Sequence, residues 1–223
     1  RRGHWKRVSS FQPLRLLGGD KAAREPWRAA AALMWGAGLE WEPPVAQPDL
    51  ARSAWNAGAG VFESSAVGRL YDAAAALILG RHHASFEGQG PMELEALASP
   101  GASPAPISFT RDESGMPRYD CSALIPVLTD SALQMSERAS IFHASLAELL
   151  VKQAKSLRDS LPFQAVGLTG GVFQNRVLTE YVIDGLSAAD IQVRLHRNIP
   201  ANDAGICYGQ VIEHLGRAGR MRA

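Results

Sequence analysis

Few features of this sequence would name a function quickly. Only two of its 223 residues are cysteine, Cys121 and Cys207, far apart and without CxxC spacing. That excludes a zinc ribbon and a disulfide framework, and it predicts a disulfide-free chain of the cytoplasm. No apolar run approaches the roughly 18–20 residues that a membrane span needs. Neither sign of charge dominates: 23 Lys+Arg stand against 22 Asp+Glu, a net charge of +1, which argues against a dedicated nucleic-acid binder. Residues 1–7 are basic, but Val8-Ser9-Ser10-Phe11 follows where a signal peptide would carry its apolar core. GxGxxG, GxxxxGK, GxSxG and HExxH are all absent, so no nucleotide, hydrolase or zinc-protease fingerprint offers a shortcut. What is present is the composition of a globular protein, 46% hydrophobic and 20% charged. The length suffices for one large or two small domains.

Periodicity divides the chain into a helical first part, 1–98, and an α/β part, 99–223. Gly18-Gly19 reads as a turn with Asp20 as a helix N-cap, followed by an alanine-rich helix over 28–35. A short helix is expected over 49–58. Ser64-Ser65 should cap a helix whose apolar positions are Val67, Leu70, Tyr71, Ala74, Leu77 and Ile78, a 3.6-residue repeat. Residues 93–98 continue helically. The stretch 99–106 holds three prolines and a glycine and is the best candidate for an internal boundary. Residues 107–119, with Glu113-Ser114-Gly115 in the middle, read as a β-hairpin, and 136–157 as a long amphipathic helix. The last third is a strand (164–168), a tight turn at Thr169-Gly170-Gly171, a helix (172–186), a second strand (191–196), a loop, and a closing helix (203–215). Strand, helix, strand, helix at these lengths predicts an α/β fold with adjacent parallel strands.

Chemistry collects at the two strand-to-helix turns. Gly170 and Gly171 let the backbone approach a ligand, and free N–H groups at the start of the helix at Val172 favour an anion. The plain alternative is a tight βα turn and nothing more. Asn175, one turn into that helix, can meet a base or ribose edge, or it is a solvated helix residue. Asp203 lies in Asn202-Asp203-Ala204-Gly205, at the carboxyl end of the next strand, where ligands of open α/β sheets gather. A carboxylate there can ligate a metal, or cap the last helix, or both. Asp72 and Gly68 share a helix; a lone Asp there is usually solvent-facing, whereas Gly68 invites close approach. His82-His83 are a poor metal pair, because neighbouring helical residues project about 100° apart. Cys207 reads as an inert buried thiol.

At this point several blocks resemble the carboxy-terminal region of the HypF family, the carbamoyltransferases of [NiFe]-hydrogenase maturation. They are LGGDKAAREPWRAA, SSAVGRLYDAAAALILG, SFEGQGPMELEALA, ERASIFHASLAELL, VGLTGGVFQNRVLTE and IPANDAGICYGQ, in this order between Leu17 and Gln210. The resemblance implies a Kae1-like domain of the actin/Hsp70 type (ASKHA), here an RNase-H-like lobe with additional helices and its amino-terminal lobe largely missing. It also implies an activity. Carbamoyl-adenylate, made from carbamoyl phosphate and ATP in another domain, would pass its carbamoyl group to the carboxy-terminal cysteine thiol of HypE, toward the cyanide ligands of the hydrogenase iron. By the same resemblance, Gly170, Gly171 and Val172 take nucleotide phosphates with Asn175 beside them. Gly68 and Asp72 contribute ribose or adenine contacts, and Asp203 ligates a divalent metal, iron or zinc.

The sequence departs from the family in part. Its usual Asn-Asp-Gly-Gly is Asn202-Asp203-Ala204-Gly205 here, which spares the carboxylate. The metal-binding HxxxH, the acylphosphatase-like domain, the CxxC zinc modules and the YrdC-like domain are absent. His143 matches a family position but lacks the spacing of that metal pair and reads as a helix-packing residue. The expectation is a piece of a longer enzyme, inactive alone, with a homodimer covering any exposed sheet edge. The alternatives are a small-molecule O-carbamoyltransferase of the same superfamily and a non-catalytic docking lobe.

Overall fold

Small side chains decide how the helices of this protein meet. The computed structural model describes residues 5–218, so Arg1–His4 of the basic start lies outside the described residues. The described chain opens with strands β1 (Ser10–Phe11) and β2 (Leu14–Leu17), a 3-10 turn (Gly19–Ala23), and helices α1 (Trp27–Gly36) and α2 (Pro48–Ala57). Strand β3 (Val61–Ser64) and helices α3 (Val67–Leu79) and α4 (Gln89–Leu97) follow. Next come the hairpin β4 (Ser108–Arg111) and β5 (Pro117–Asp120), then α5 (Ile125–Thr129) and the long α6 (Met135–Ser160). Strand β6 (Val166–Gly167), a 3-10 turn (Gly171–Gln174), α7 (Arg176–Ala188), β7 (Val193–Arg194), a 3-10 turn (Asp203–Gly205) and α8 (Ile206–Ala218) complete it.

Ala29–Ala32 of α1 and Ala73–Ala76 of α3 are buried, and the two helices pack against each other. Alanine faces let helix axes approach closely, which accounts for the alanine bias of the sequence. Where α4 crosses α3, a Cβ on Gly90 would come within 2.6 Å of the Ala75 Cβ, so glycine is required there. Gly185 serves α7 similarly: a Cβ would meet Val151 Cγ2 at 2.7 Å across α6. Helix α6 is the spine. Its middle buries Phe142, His143, Leu146 and Leu149, and it contacts α3, α4, α5 and α7.

The segment 99–106 is pinned along this spine. Ser140 and Ser145 each donate to the carbonyl four residues back (2.6 Å each), while their hydroxyls accept from the amides of Ser99 and Ala105 (2.8 Å each). One apolar core runs through both sides of the segment, from Leu16 and Trp27 to Leu186 and Ile191.

Three small sheets flank the helices. β1 adds parallel to β5 and β4 pairs antiparallel with β5, with Phe109 opposite Tyr119. β2 and β3 pair antiparallel from Leu14–Ser64 to Leu17–Val61. β6 and β7 are parallel, Val166 opposite Val193 and Gly167 opposite Arg194, as the alternation of elements predicts.

Several local expectations need correction. Asp20 is no N-cap: it lies inside the 3-10 turn, which is entered by Gly18 at φ +98°. Ala66, not a serine, occupies the N-cap of α3, although the Ser64 hydroxyl accepts from its amide at 3.3 Å. The strand expected over 164–168 contributes only Val166–Gly167 to the sheet, and Gly167 is exposed. Cys207 is exposed rather than buried. On the same helix Tyr208, Val211, Ile212 and Leu215, a single i, i+3, i+4, i+7 stripe, are all at least half exposed.

Candidate functional site

The two strand-to-helix turns lie side by side. Parallel pairing of β6 with β7, continued by Leu168 N donating to Arg194 O (3.0 Å), brings both carboxyl ends to one edge. Gly170 then donates its amide to Ala201 O at 2.7 Å, which ties the first turn to the second. A Cβ on Gly171 would stand 3.8 Å from the Asn202 Cβ. Gly170 has φ +102° and ψ 152°, a region open essentially to glycine alone. The first 3-10 bond closes from Phe173 N to Gly170 O (3.0 Å), so the Gly171 and Val172 amides precede the hydrogen-bonded turn. Amides in that position suit an anion.

The second turn is capped by Asn202, whose side chain accepts from Ala204 N at 3.1 Å. Asp203 is therefore not the cap; its carboxylate is exposed beside the glycine turn. Gly205 is the constrained position, since a Cβ would lie 2.7 Å from Pro200 O. Ala204, where the sequence departs from the usual glycine, is exposed.

Asn175 is not one turn into a helix. Helix α7 begins at Arg176, and Asn175, 7% exposed with ψ 111°, is its N-cap. Its Oδ1 accepts from Leu178 N (2.9 Å), the usual way an Asn satisfies an orphan amide. Its Nδ2 donates to His143 Nε2 at 3.0 Å. His143 Nδ1 lies 2.8 Å from Ala139 O, an acceptor, so Nδ1 carries the hydrogen and Nε2 is free to accept. His143 does pack within the helix bundle as expected, but it also has this polar partner 32 residues away. Burial holds its imidazole below the usual 6.5. The unfolded chain therefore takes up the proton first on acidification. The stability that neutral His143 contributes is complete above pH 6.5 and is lost progressively below it.

Tyr71 of α3 stands edge-on to both Phe142 (centroids 4.9 Å apart) and His143 (5.3 Å). Its hydroxyl is buried without a hydrogen-bond partner. Burial, with Glu95 nearby, raises its pKa far above that of a free phenol. Glu95 of α4 accepts from Arg176 N at 2.8 Å, placing a carboxylate on the first turn of α7. The sequence places Tyr71 on the apolar face of its helix but gives no sign of the Glu95–Arg176 bond or the His143–Asn175 contact, both of which join elements distant in sequence.

Gly68 and Asp72 lie on α3, which touches the Gly171–Gln174 turn. A side chain at Gly68 would meet open space, so that face admits close approach. Asp72 is not solvent-facing. It is 6% exposed, with Arg69 Nη1 2.8 Å from its Oδ2. That contact lacks hydrogen-bond geometry, because Arg69 Nη1 is directed at Ala22 O (3.0 Å). Burial raises the Asp72 carboxyl to about 6; Arg69 opposes the shift and Glu87 adds to it. Ionised Asp72 thus costs stability that the unfolded chain does not lose. The penalty sets in above pH 3.8 and is complete above about pH 6. Asp72→Asn is expected to be more stable than the parent by about 2–3 kcal/mol at pH 8, with the advantage gone near pH 4. Urea unfolding at the two pH values checks this; an equal gain at both would refute the ionisation account.

Among the described residues, no three His, Cys, Asp or Glu side chains gather closely enough to hold a metal. Asp203 is a single hard oxygen donor, so the described residues do not by themselves fit a metal site.

With this geometry in hand, comparison with known proteins is decisive about kinship. Residues 1–210 match the family described as the second subdomain of the Kae1-like domain of carbamoyltransferases. The chain belongs to this family. It is 35% identical over 219 residues to the carbamoyltransferase HypF of Rhodobacter capsulatus, covering 93% of this chain and 28% of that protein. It is 34% identical over 221 residues to HypF of Rhizobium leguminosarum bv. viciae, covering 92% and 27%. The chain thus spans little more than a quarter of these relatives. A crystal structure of full-length HypF in its phosphate- and nucleotide-bound form superposes with a TM-score of 0.84 at 23% identity, over 95% of this chain and 29% of that one. This likeness establishes a shared α/β fold. No described helix is long and apolar enough to cross a membrane.

Proposed function

We propose that this chain is the acceptor-side part of a HypF-type carbamoyltransferase, with an actin/Hsp70-type RNase-H-like lobe. In this reading it holds carbamoyl-adenylate at the two adjoining turns. The observation that carries the reading is the juxtaposition of Gly170–Val172 with Asn202–Asp203, fastened by the Gly170–Ala201 bond, in a chain of this family. Gly171 and Val172 supply amides for the nucleotide phosphate, and Gly68 leaves the α3 face open to the nucleoside. The buried Asn175 acts from behind the turn. Asp72, on the same helix, stands toward the ribose in this reading.

The reaction needs no nucleophile from this chain. A thiolate attacks the carbamoyl carbon, a C–S bond forms, the C–O bond of the mixed anhydride breaks, and AMP leaves; the thiol proton goes to solvent. What the protein supplies is orientation of the two reactants and a place for the departing phosphate. Asp203 would offer one hard oxygen to a divalent metal, iron or zinc, if other ligands joined it there, and such an ion would polarise the carbamoyl carbonyl. The acceptor is the carboxy-terminal cysteine of HypE, and the setting is the cytoplasm.

The test is acceptor choice in the intact enzyme containing this region. Given carbamoyl phosphate and ATP, it should carbamoylate a peptide with a carboxy-terminal cysteine, gaining the mass of one carbamoyl group, and leave small hydroxylated substrates untouched. Transfer to the hydroxyl compounds alone would indicate the O-carbamoyltransferase. Binding of the peptide without nucleotide binding or transfer would indicate a docking lobe.

A further inference from the structure

His143 is fully buried yet polar, and its two ring nitrogens are both committed. Nδ1–H donates to Ala139 O (2.8 Å) within α6, which leaves Nε2 as an acceptor for Asn175 Nδ2 (3.0 Å). The Asn175 amide is fixed at its other end as well, since Oδ1 accepts from Leu178 N at 2.9 Å. Flipping it would set two donors against each other at Leu178 N and two acceptors against each other at His143 Nε2. Asn175 is also where the glycine turn ends: its own amide donates to Val172 O (3.1 Å) and its carbonyl accepts from Thr179 N (3.1 Å). Thr179 Oγ1 in turn donates to Phe173 O at 3.0 Å. The imidazole therefore reaches the turn through one side chain. It cannot move aside, because Tyr71 and Phe142 stand edge-on to the ring. An apolar side chain at 143 would fill the same space but leave the Asn175 amide unpartnered on that side.

We propose that His143 is a positioning residue for nucleotide binding. Through Asn175 it holds the Gly170–Gln174 turn in the geometry that accepts a phosphate. It touches no ligand itself. The inference rests on the phosphate reading of the turn but assigns its control to a residue of α6.

Three variants in the intact enzyme separate positioning from packing. Gln at 143 can place an oxygen near the Nε2 position and accept from Asn175. Asn can bond Ala139 O but is too short to reach Asn175. Leu does neither. H143N and H143L should weaken ATP binding, read by calorimetry, by tenfold or more, and H143Q by no more than about threefold. In the ligand-free protein, exchange of the hydrogen-bonded amides of Phe173 and Asn175 should accelerate about tenfold in H143N, with Leu14–Leu17 unchanged. If H143L does not fold, H143N carries the comparison. Unchanged affinity in H143N, or losses equal in H143Q and H143N, overturns the proposal. Should the parent enzyme show no ATP-binding component beyond that of the adenylate-forming domain, the phosphate reading fails by itself. The exchange measurement then decides positioning: no acceleration at the turn rejects it, and local acceleration supports it.

Discussion

Asp203→Ala in the intact enzyme should abolish carbamoyl transfer to the thiol acceptor, to below one-hundredth of the parent rate, while carbamoyl-adenylate formation from carbamoyl phosphate and ATP continues. The reason is local. Asp203 is exposed and follows the residue that caps the second turn, and the cap is Asn202. Removing the carboxylate therefore leaves the turn bonds intact, namely Asn202 to Ala204 N and Gly170 N to Ala201 O. Stability should stay within about 0.5 kcal/mol of the parent, as for surface substitutions away from special features. A large activity loss with no stability loss is the mark of a group that acts on the reactants. Transfer at the parent rate would remove Asp203 from the site.

Phe142→Ala should be the most damaging single truncation in the core, at about 3–5 kcal/mol. Phe142 is completely buried at the middle of α6 and packs edge-on against Tyr71. Its loss opens a cavity where α3 and α6 meet, directly beneath His143. Against a typical net stability of about 5–15 kcal/mol, such a loss leaves the protein marginal. Tyr71→Phe is the matched control. The Tyr71 hydroxyl is buried without a partner, so removing it should be neutral or stabilising. Thermal or urea unfolding of the two variants checks the pair; destabilisation by Tyr71→Phe above about 1 kcal/mol would mean that the hydroxyl has a partner after all.

How far the sequence reveals this molecule depends on the range of the interactions involved. The hairpin at 107–119, the long helix within Met135–Ser160 and the parallel strands at Val166 and Val193 were legible, because each rests on local periodicity or turn chemistry. β1, β2 and β3 were not. They are two to four residues long, and their pairing joins Leu14 to Ser64 and Ser10 to Arg118, which no local pattern announces. A helix expected from Val172 starts four residues before α7, because Val172-Phe173-Gln174 is helical as a 3-10 turn. Asn175, three residues before the amide it caps, carried the signal that the α-helix starts after it. The closing helix likewise begins after a 3-10 turn, and its apolar stripe gives no hint that it is exposed.

The candidate site divides in the same way. The glycine turn and Asp203 could be placed side by side from the order of elements alone. The burial of Asp72 under Arg69 and the coupling of His143 to Asn175 could not, since each depends on which face of one helix meets another.

Binding of nucleotide phosphate by the joined turns is tested by calorimetric titration of the intact enzyme with ATP, paired with Gly170→Val. No neighbouring atom lies within 4 Å of a Cβ at Gly170, so the added Cβ itself meets no clash. It does oppose a backbone at φ +102°, which costs about 1–3 kcal/mol and turns the amides of Gly171 and Val172 away. In the proposed reading the adenylate forms in another domain of the intact enzyme, so the site in this chain should appear as a distinct saturable component. This component should be present in the parent and lost, or weakened at least tenfold, in Gly170→Val, with the other component unchanged. Identical titrations for the two proteins would contradict it.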